Sequence, residues 1–174
     1  MAQVPFVHLH VHSEYSFLRS TLRAREIPRL AAELQMPAVA LTDRNNLHGV
    51  ISFYDACYHN GIKPIIGADI TIEPLASGHA ADPARPPMFN FVILAEDLSG
   101  YVNLCELLTR MHQQPVGPHL CARRAWLEEL AGRWIILSGG LDGEIAHALQ
   151  TGNTAAARAA AEILAHHAGP GRFY

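Results

Sequence analysis

Lysine is almost missing from this sequence, since Lys63 is the only lysine among thirteen basic Lys and Arg residues. Cysteine is also scarce: Cys57, Cys105 and Cys121 lie far apart, are odd in number and form no C-x-x-C pair. This spacing argues against a disulfide or zinc framework and is typical of reduced thiols. No apolar run approaches the roughly 20 residues that span a bilayer, and no charged-then-apolar leader precedes the first strand. We therefore expect a soluble, cytoplasmic protein without a membrane role.

Charge and composition limit the function classes further. The formal net charge is −3, so the chain carries no general basic field that would indicate nucleic-acid binding. Hydrophobic residues make up 49% of the 174 residues, which is enough for a true core and argues against disorder. This length corresponds to one domain, residues 1–174, or to part of a larger one.

Three histidines alternate with Val and Leu close to the N-terminus. Residues 5–12 are predicted to form the first strand, and in a strand His8, His10 and His12 would share one face. Imidazole is a common metal ligand, so this histidine row (His8, His10 and His12) could form half of a metal or phosphate site. The alternative is an ordinary polar face at a sheet edge.

Strands alternate with helices along the rest of the chain. The pattern predicts strands at 38–41, 64–72, 91–95 and 134–137, and helices at about 25–35, 48–59, 143–150 and 154–167. Ser99 is expected to cap a further helix. Residues 42–46 are predicted to form a polar loop after a strand, and residues 75–87 a proline-rich loop. We expect a parallel α/β sheet or barrel with a site at the strand C-termini. Phe173 and Tyr174 would open a sixth strand, so we expect the N-terminal part of a longer domain.

Several segments in this order resemble a known family. They are HLHVHSEYS from His8, PAVALTD from Pro37, GIKPIIGAD from Gly61, GYVNLC from Gly100 and LSGG from Leu137. Together they are similar to the PHP (polymerase and histidinol phosphatase) domain of bacterial DNA polymerase III alpha subunits. The resemblance implies a distorted (β/α)7 barrel, here incomplete after about five to six strands. The polymerase catalytic carboxylates of such proteins lie farther along the chain.

The resemblance also implies a metal centre, because working members of the family hold two or three divalent ions with His, Asp and Glu. His10 and His12 match the leading ligand pair, and Asp69 stands where a bridging Glu is usual. His8 falls where many members have Asp, and Asp43 is retained; both are weaker candidate ligands. Such clusters generate hydroxide and stabilise a phosphodiester displacement.

Three positions depart from the family's ligand pattern. Arg19 and Arg44 replace ligands, and Asn90 stands where a His is usual. Arginine stays protonated near neutral pH, so it cannot ligate a metal and repels one at short range. The guanidinium groups could instead pair with Asp43 or Asp69. We therefore expect a degenerate site to which we assign no catalytic residue. Zn, Mn or Mg would be absent from this site or would occupy it only in part.

Three functions follow from the resemblance. The first is a structural and interaction module of an alpha-type DNA polymerase, active in replication or error-prone repair synthesis. Its partners would be the remainder of the polymerase chain, a proofreading subunit and, through the full-length protein, DNA. The second is a metal-dependent phosphoesterase or 3′–5′ exonuclease, and the third is a free-standing PHP protein. Arg19 and Arg44 resemble the error-prone branch, whereas the histidine pair and GIKPIIG resemble the replicative branch, and we favour a divergent or error-prone paralogue.

Overall fold

The computed structural model describes residues 6–73, 88–116 and 120–174, so Pro5 and the loop predicted at 75–87 lie outside the described residues. Two compact units are present, Met1–Ala68 and Asp69–Tyr174. The elements in chain order are α1 (Ile27–Glu33), β1 (Ala38–Arg44), α2 (Val50–Asn60), β2 (Lys63–Ile72), β3 (Phe89–Ala95), α3 (Leu98–Gln113), α4 (Arg124–Leu130), β4 (Trp134–Leu137), α5 (Glu144–Gln150) and α6 (Thr154–Ala168). The four strands form one sheet in the order β1-β2-β3-β4.

The first unit is built around β1, which is buried on both faces as its apolar run predicts. The strand is longer than expected, because Thr42, Asp43 and Arg44 belong to it rather than to the predicted polar loop. Pro28 lies in the first turn of α1, where its missing N–H costs no helical hydrogen bond. Helix α2 ends as predicted at Gly61, whose φ of 66° is the left-handed conformation that glycine adopts easily.

The histidine row was predicted to lie on a regular strand, and that prediction was wrong for the described residues 6–12, which form no strand. The segment does bond to β1: the Ala40 N–H donates to the His8 carbonyl at 2.9 Å, and the Thr42 N–H donates to the Val11 carbonyl at 2.8 Å. The donors are two residues apart but the acceptors are three apart. This extra residue interrupts the regular ladder, as a bulge does.

The second unit contains strands β3 and β4, and here the expected all-parallel sheet was wrong. The two strands are antiparallel, with Val92 opposite Leu137 and Ala95 opposite Trp134. An alternation of strands and helices does not encode strand direction, which depends on the path of the intervening chain. The strand-like character predicted for the last residues is confirmed, because the Tyr174 N–H donates to the Ile136 carbonyl at 2.9 Å.

Helix α3 begins at a different cap from the one predicted. The side chain of Asp97, not that of Ser99, accepts a hydrogen bond from the Gly100 N–H at 3.0 Å. Gly100 also lies against the chain before β4, where a Cβ atom would come within 2.2 Å of the Arg133 carbonyl oxygen. The indole N–H of buried Trp134 donates to the Gly100 carbonyl at 2.8 Å, so α3 and β4 are locked together at this point.

Helices α4, α5 and α6 complete the second unit. The guanidinium of Arg124 at the start of α4 pairs with the buried carboxylate of Glu144 at the start of α5. His167, in the last turn of α6, is buried, and its loss of solvent lowers its pKa from the ordinary value of 6.5. Nearby Glu128 opposes this lowering, whereas His166 and Arg124 add to it. None of the helices in the described ranges has the length and apolar character needed to cross a bilayer.

The lowered pKa of His167 predicts a pH dependence of stability. Below pH 6.5 the unfolded chain takes up a proton that the buried imidazole resists, so the free energy of unfolding decreases as the pH falls through this range. His167→Gln should reduce this pH dependence, as measured by urea unfolding at pH 7.5 and pH 5.5. The exposed His59→Gln variant should keep the wild-type dependence. An unchanged pH dependence in His167→Gln would contradict the assignment.

Gly139 provides a second test of the packing. Its φ is 83°, and a Cβ atom would lie 1.9 Å from the Asn90 carbonyl oxygen, so Gly139→Ala adds a backbone clash to left-handed strain. We expect a loss of about 3 kcal/mol in the free energy of unfolding. Gly152→Ala is the matched control, because its φ is 75° but nothing lies within 4 Å of the added Cβ. It should lose only about 1 kcal/mol in the same denaturant titration.

Candidate metal centre at the histidine row

Two imidazole rings of the histidine row meet at close range despite the irregular backbone. The Nε2 atoms of His10 and His12 are 3.1 Å apart. Two nitrogens bound to one tetrahedral Zn²⁺ at about 2.0–2.1 Å would be separated by about 3.3 Å. The same distance also fits an N–H···N hydrogen bond between a donor ring and an acceptor ring. The pair is therefore spaced either to bond directly or to share one cation.

Asp69 supplies the third donor of the candidate site. One ligand atom from each of His10, His12 and Asp69 lies within 4.8 Å of the other two. In the part of the chain that the structure describes, this is the one group of three or more His, Cys, Asp or Glu side chains spaced to hold a metal ion. Two imidazoles and one carboxylate form a donor set that zinc accepts, with a fourth position left for water or substrate. The set fits one divalent ion.

Asp43 has a different environment from these three residues. Its carboxylate is buried, and it accepts three hydrogen bonds of 2.6 Å each: from the Ser13 N–H, the Ser13 hydroxyl and the Ser16 hydroxyl. No pairing of Asp43 with a guanidinium group is seen among the described residues, and the alternative pairing with Asp69 stays a prediction. We call Asp43, Ser13 and Ser16 the aspartate clamp.

The aspartate clamp positions the chain that follows the histidine row. The Ser16 hydroxyl, besides donating to Asp43, accepts from the Arg44 N–H at 3.0 Å. The Ser13 hydroxyl likewise accepts from the Tyr15 N–H at 3.3 Å. Sequence reasoning did not single out the two serines. Their S-x-x-S spacing directly after the histidines was the available signal, because short hydroxyl side chains commonly bond to nearby backbone and carboxylate groups.

A second set of bonds closes the loop that carries Arg19. The Glu14 N–H donates to the Leu22 carbonyl at 2.7 Å, and the Glu14 carboxylate accepts from the Ala24 N–H at 2.6 Å. The loop tip between them includes Leu18, which is fully exposed at a φ of 61°. A leucine in this conformation is strained, so these contacts hold the tip in a shape that the chain would not adopt alone.

Arg19 lines a cavity beside the histidine row, and Arg44 is not among the described residues that line it. A cavity of about 490 Å³ is lined by the three histidines and by Arg19. Arg44 is the last residue of β1 and is not among the described residues that line this cavity. Asn90 is buried on β3, where its carbonyl packs closely against Gly139. Of the positions predicted to replace ligands, only Arg19 therefore shares the cavity with the histidines.

The two buried cysteines, Cys57 and Cys121, offer no alternative chemistry here. Cys57 is fully buried, and burial raises the pKa of its thiol to about 12. Burial also raises the pKa of Cys121, with the nearby Glu73 carboxylate adding to the effect. A thiol with a raised pKa is neither a ready nucleophile nor a ready metal ligand near neutral pH.

The aspartate clamp predicts a large stability cost for a minimal substitution. Asp43→Asn places an amide where three donors converge, so at least one buried donor loses its acceptor. We expect a loss of about 2–4 kcal/mol in the free energy of unfolding, measured by urea denaturation. Asp55→Asn, at an exposed position on α2, is the matched control and should change stability by less than about 0.5 kcal/mol. Equal effects in the two variants would contradict a structural role for the clamp.

Comparison with solved structures gives only distant matches. An amidohydrolase from Chromobacterium violaceum superposes with a TM-score of 0.43 and 19% sequence identity, covering 92% of this chain and 49% of that chain.

Sequence comparison gives a much clearer relationship. The PHP domain family matches residues 8–174. The chain is 37% identical over 158 residues to DNA polymerase III subunit alpha of Escherichia coli K12, covering 89% of this chain and 13% of that protein. With the same subunit of Caulobacter vibrioides it shares 37% identity over 175 residues, covering 97% of this chain and 15% of that protein. It thus spans only about an eighth of these relatives. The chain belongs to the PHP domain family and is homologous to the N-terminal region of DNA polymerase III alpha subunits.

Proposed function

We propose that this PHP domain acts in an alpha-type DNA polymerase as a structural and interaction module, in the cytoplasm. Its partners would be the remaining polymerase chain and a proofreading subunit, and it would meet DNA through the full-length protein. The observation that carries this proposal is the 34–37% identity to DNA polymerase III alpha subunits over nearly the whole chain. The polymerase activity itself belongs to residues that such relatives carry elsewhere.

The surroundings of the histidine row support a module rather than a hydrolase. Asp43, which is retained from the family pattern, accepts hydrogen bonds from Ser13 and Ser16. Arg19 brings a permanent positive charge to the cavity that holds the histidines. The hydrogen bonds occupy the Asp43 oxygens, and the charge of Arg19 repels cations, so both features disfavour a cluster of divalent ions. Hydrolysis through two metals needs both ions clamped together.

Within this module, His10, His12 and Asp69 would hold one divalent ion. Zinc, manganese or magnesium would supply Lewis-acid chemistry if bound there, and the His–His–Asp donor set favours zinc. His8 and Asp43 are weaker candidates, because His8 lies outside the three-residue group and Asp43 is engaged in the aspartate clamp.

A second candidate function is a metal-dependent phosphoesterase or 3′–5′ exonuclease. The close approach of the His10 and His12 rings and of one Asp69 oxygen favours it, because a single ion with an open position can still polarise a phosphoryl oxygen. This candidate requires that metal uptake and hydrolysis depend on the same side chains.

Metal analysis separates the two functions. Protein equilibrated with zinc or manganese and then desalted should contain at most one ion per chain by elemental analysis, and His12→Ala should contain none. His59→Ala, at an exposed position on α2, is the control and should retain the wild-type content. Hydrolysis of bis(4-nitrophenyl) phosphate and of single-stranded DNA should stay at background in all three proteins.

Other outcomes would change the conclusion. Turnover that is lost in His10→Ala and His12→Ala but kept in His59→Ala would favour the phosphoesterase over the structural module as the function of this domain. Uptake of two or more ions per chain would contradict the degenerate site. Equal, non-zero metal content in wild type and His12→Ala would show that the ion binds elsewhere, and zero content in wild type would show that these residues hold no ion.

A further inference from the structure

A cleft between helices α4 and α6 of the second unit has a lining rich in carboxylate and imidazole groups. Its volume is about 410 Å³, within the range of pockets that bind small molecules. Its lining residues within the described ranges are Glu128, Ala159, Glu162, Ile163, His166 and His167, and we call it the α4–α6 cleft. No Lys or Arg is among these six residues, so the polar groups of the cleft are suited to receive a cation.

Helix α6 presents an apolar row and a polar row to the cleft. Ala159 and Ile163 are four residues apart, and so are Glu162 and His166, which places the members of each pair one turn apart on the same side of the helix. Glu128 lines the cleft from α4. Each of the two helices therefore contributes one carboxylate, and α6 adds an apolar strip.

The two carboxylates of the cleft are not neutralised by neighbouring basic groups. Neither Glu128 nor Glu162 forms a hydrogen bond or a salt bridge with another residue in the described part of the chain. Arg124, whose charge acts on His167, pairs instead with the buried carboxylate of Glu144. The cleft therefore keeps two negative charges without a positive partner.

His167 gives independent evidence for a ligand in the cleft. It is only 8% exposed, it lines the cleft, and its ring forms no hydrogen bond with any described residue. Burial lowers the pKa of His167, so the ring is neutral near pH 7 and keeps one acceptor nitrogen. A buried polar group without a partner costs free energy, and a ligand that donates a hydrogen bond would remove this cost.

The spacing of these groups does not suit a metal ion. Two ligand atoms bound to one zinc ion lie about 3.3 Å apart. Among the described residues, the only three or more His, Cys, Asp or Glu side chains with ligand atoms within 4.8 Å of one another are those at the histidine row. The cleft is also much larger than an ion and has an apolar strip. These features indicate an organic cation with an apolar stem.

We propose that the α4–α6 cleft binds an aliphatic diammonium ion, such as a linear diamine or a polyamine. One ammonium group would bind the Glu128 carboxylate and donate to the His167 ring, and the other would bind Glu162. The methylene stem would lie on Ala159 and Ile163, as the stems of long cationic side chains lie on apolar surface. Two carboxylates match two ammonium charges. This inference goes beyond the proposed module and does not rest on it.

NMR titration of the isotope-labelled full chain, in EDTA and low salt at pH 7.5, tests the proposal. Cadaverine is the probe with two ammonium groups, pentylamine has a stem of equal length with one, and Nα-acetyl-lysine methylamide represents a lysine side chain of a protein. Cadaverine should shift the backbone amide signals of α4 and α6 saturably. It should bind about threefold more tightly than either other probe, because only cadaverine can form both exposed ion pairs.

Variants of the lining residues assign the contacts. Glu128→Gln and Glu162→Gln should each weaken cadaverine binding about threefold. Glu129→Gln is the matched control, because it removes the same charge from the same helix, but Glu129 lies outside the cleft and pairs with Arg110. It should leave the affinity unchanged. His167→Leu should also weaken binding, and the exposed glutamate positions keep the test available if this buried variant does not fold, which circular dichroism will check.

Several results would overturn the inference. They are no saturable shift with cadaverine, equal or tighter binding of either one-ammonium probe, equal losses in Glu128→Gln and Glu129→Gln, or unchanged affinity in a folded His167→Leu. Saturation of the same α6 signals by zinc, without EDTA, at lower concentrations than cadaverine would assign the cleft to a metal ion and also overturn it. None of these measurements concerns the histidine row, so the proposed function would be left standing.

Discussion

The buried carboxylate of Asp43 is the interaction on which the candidate site depends. An ionised group inside a protein is costly unless several donors satisfy it, and here Ser13 and Ser16 provide three hydrogen bonds of 2.6 Å. These donors lie 27–30 residues earlier in the chain, so the clamp ties the segment after the histidine row to the end of β1. The histidines and the Arg19 loop therefore lie on either side of a fixed point.

The aspartate clamp limits which side chains remain available to bind a metal ion at this site. With Asp43 engaged, the close imidazole pair of His10 and His12 and the nearby Asp69 carboxylate can serve one ion, fewer than the two or three that the family resemblance implies. Arg19 adds a fixed positive charge in the same cavity. Both features support the proposed role as a module of a polymerase over that of an independent hydrolase.

Local signals in the sequence were reliable where the deciding interactions are local. The buried strand at 38–41 and the glycine stop at Gly61 depend on neighbouring residues, and both predictions are confirmed. The cap of α3 was misplaced by two residues, because Asp97 and Ser99 are both good capping residues and only the backbone geometry distinguishes them. The prediction of a regular first strand was wrong, because the pairing of this segment with β1 contains an extra residue. The alternation of His with Val and Leu does not reveal such a residue.

The sequence alone determined the family and the buried strands, since these follow from residue order. Only the tertiary structure brought the His10 and His12 rings together, because their segment is not a regular strand. Tertiary structure decided that β4 runs antiparallel to β3, that Asp43 is bonded to two serines, and that Arg19 rather than Arg44 shares the histidine cavity. Each of these outcomes depends on groups far apart in the chain. Their distances are set by the path of the folded backbone, and a linear pattern of residues does not contain that path.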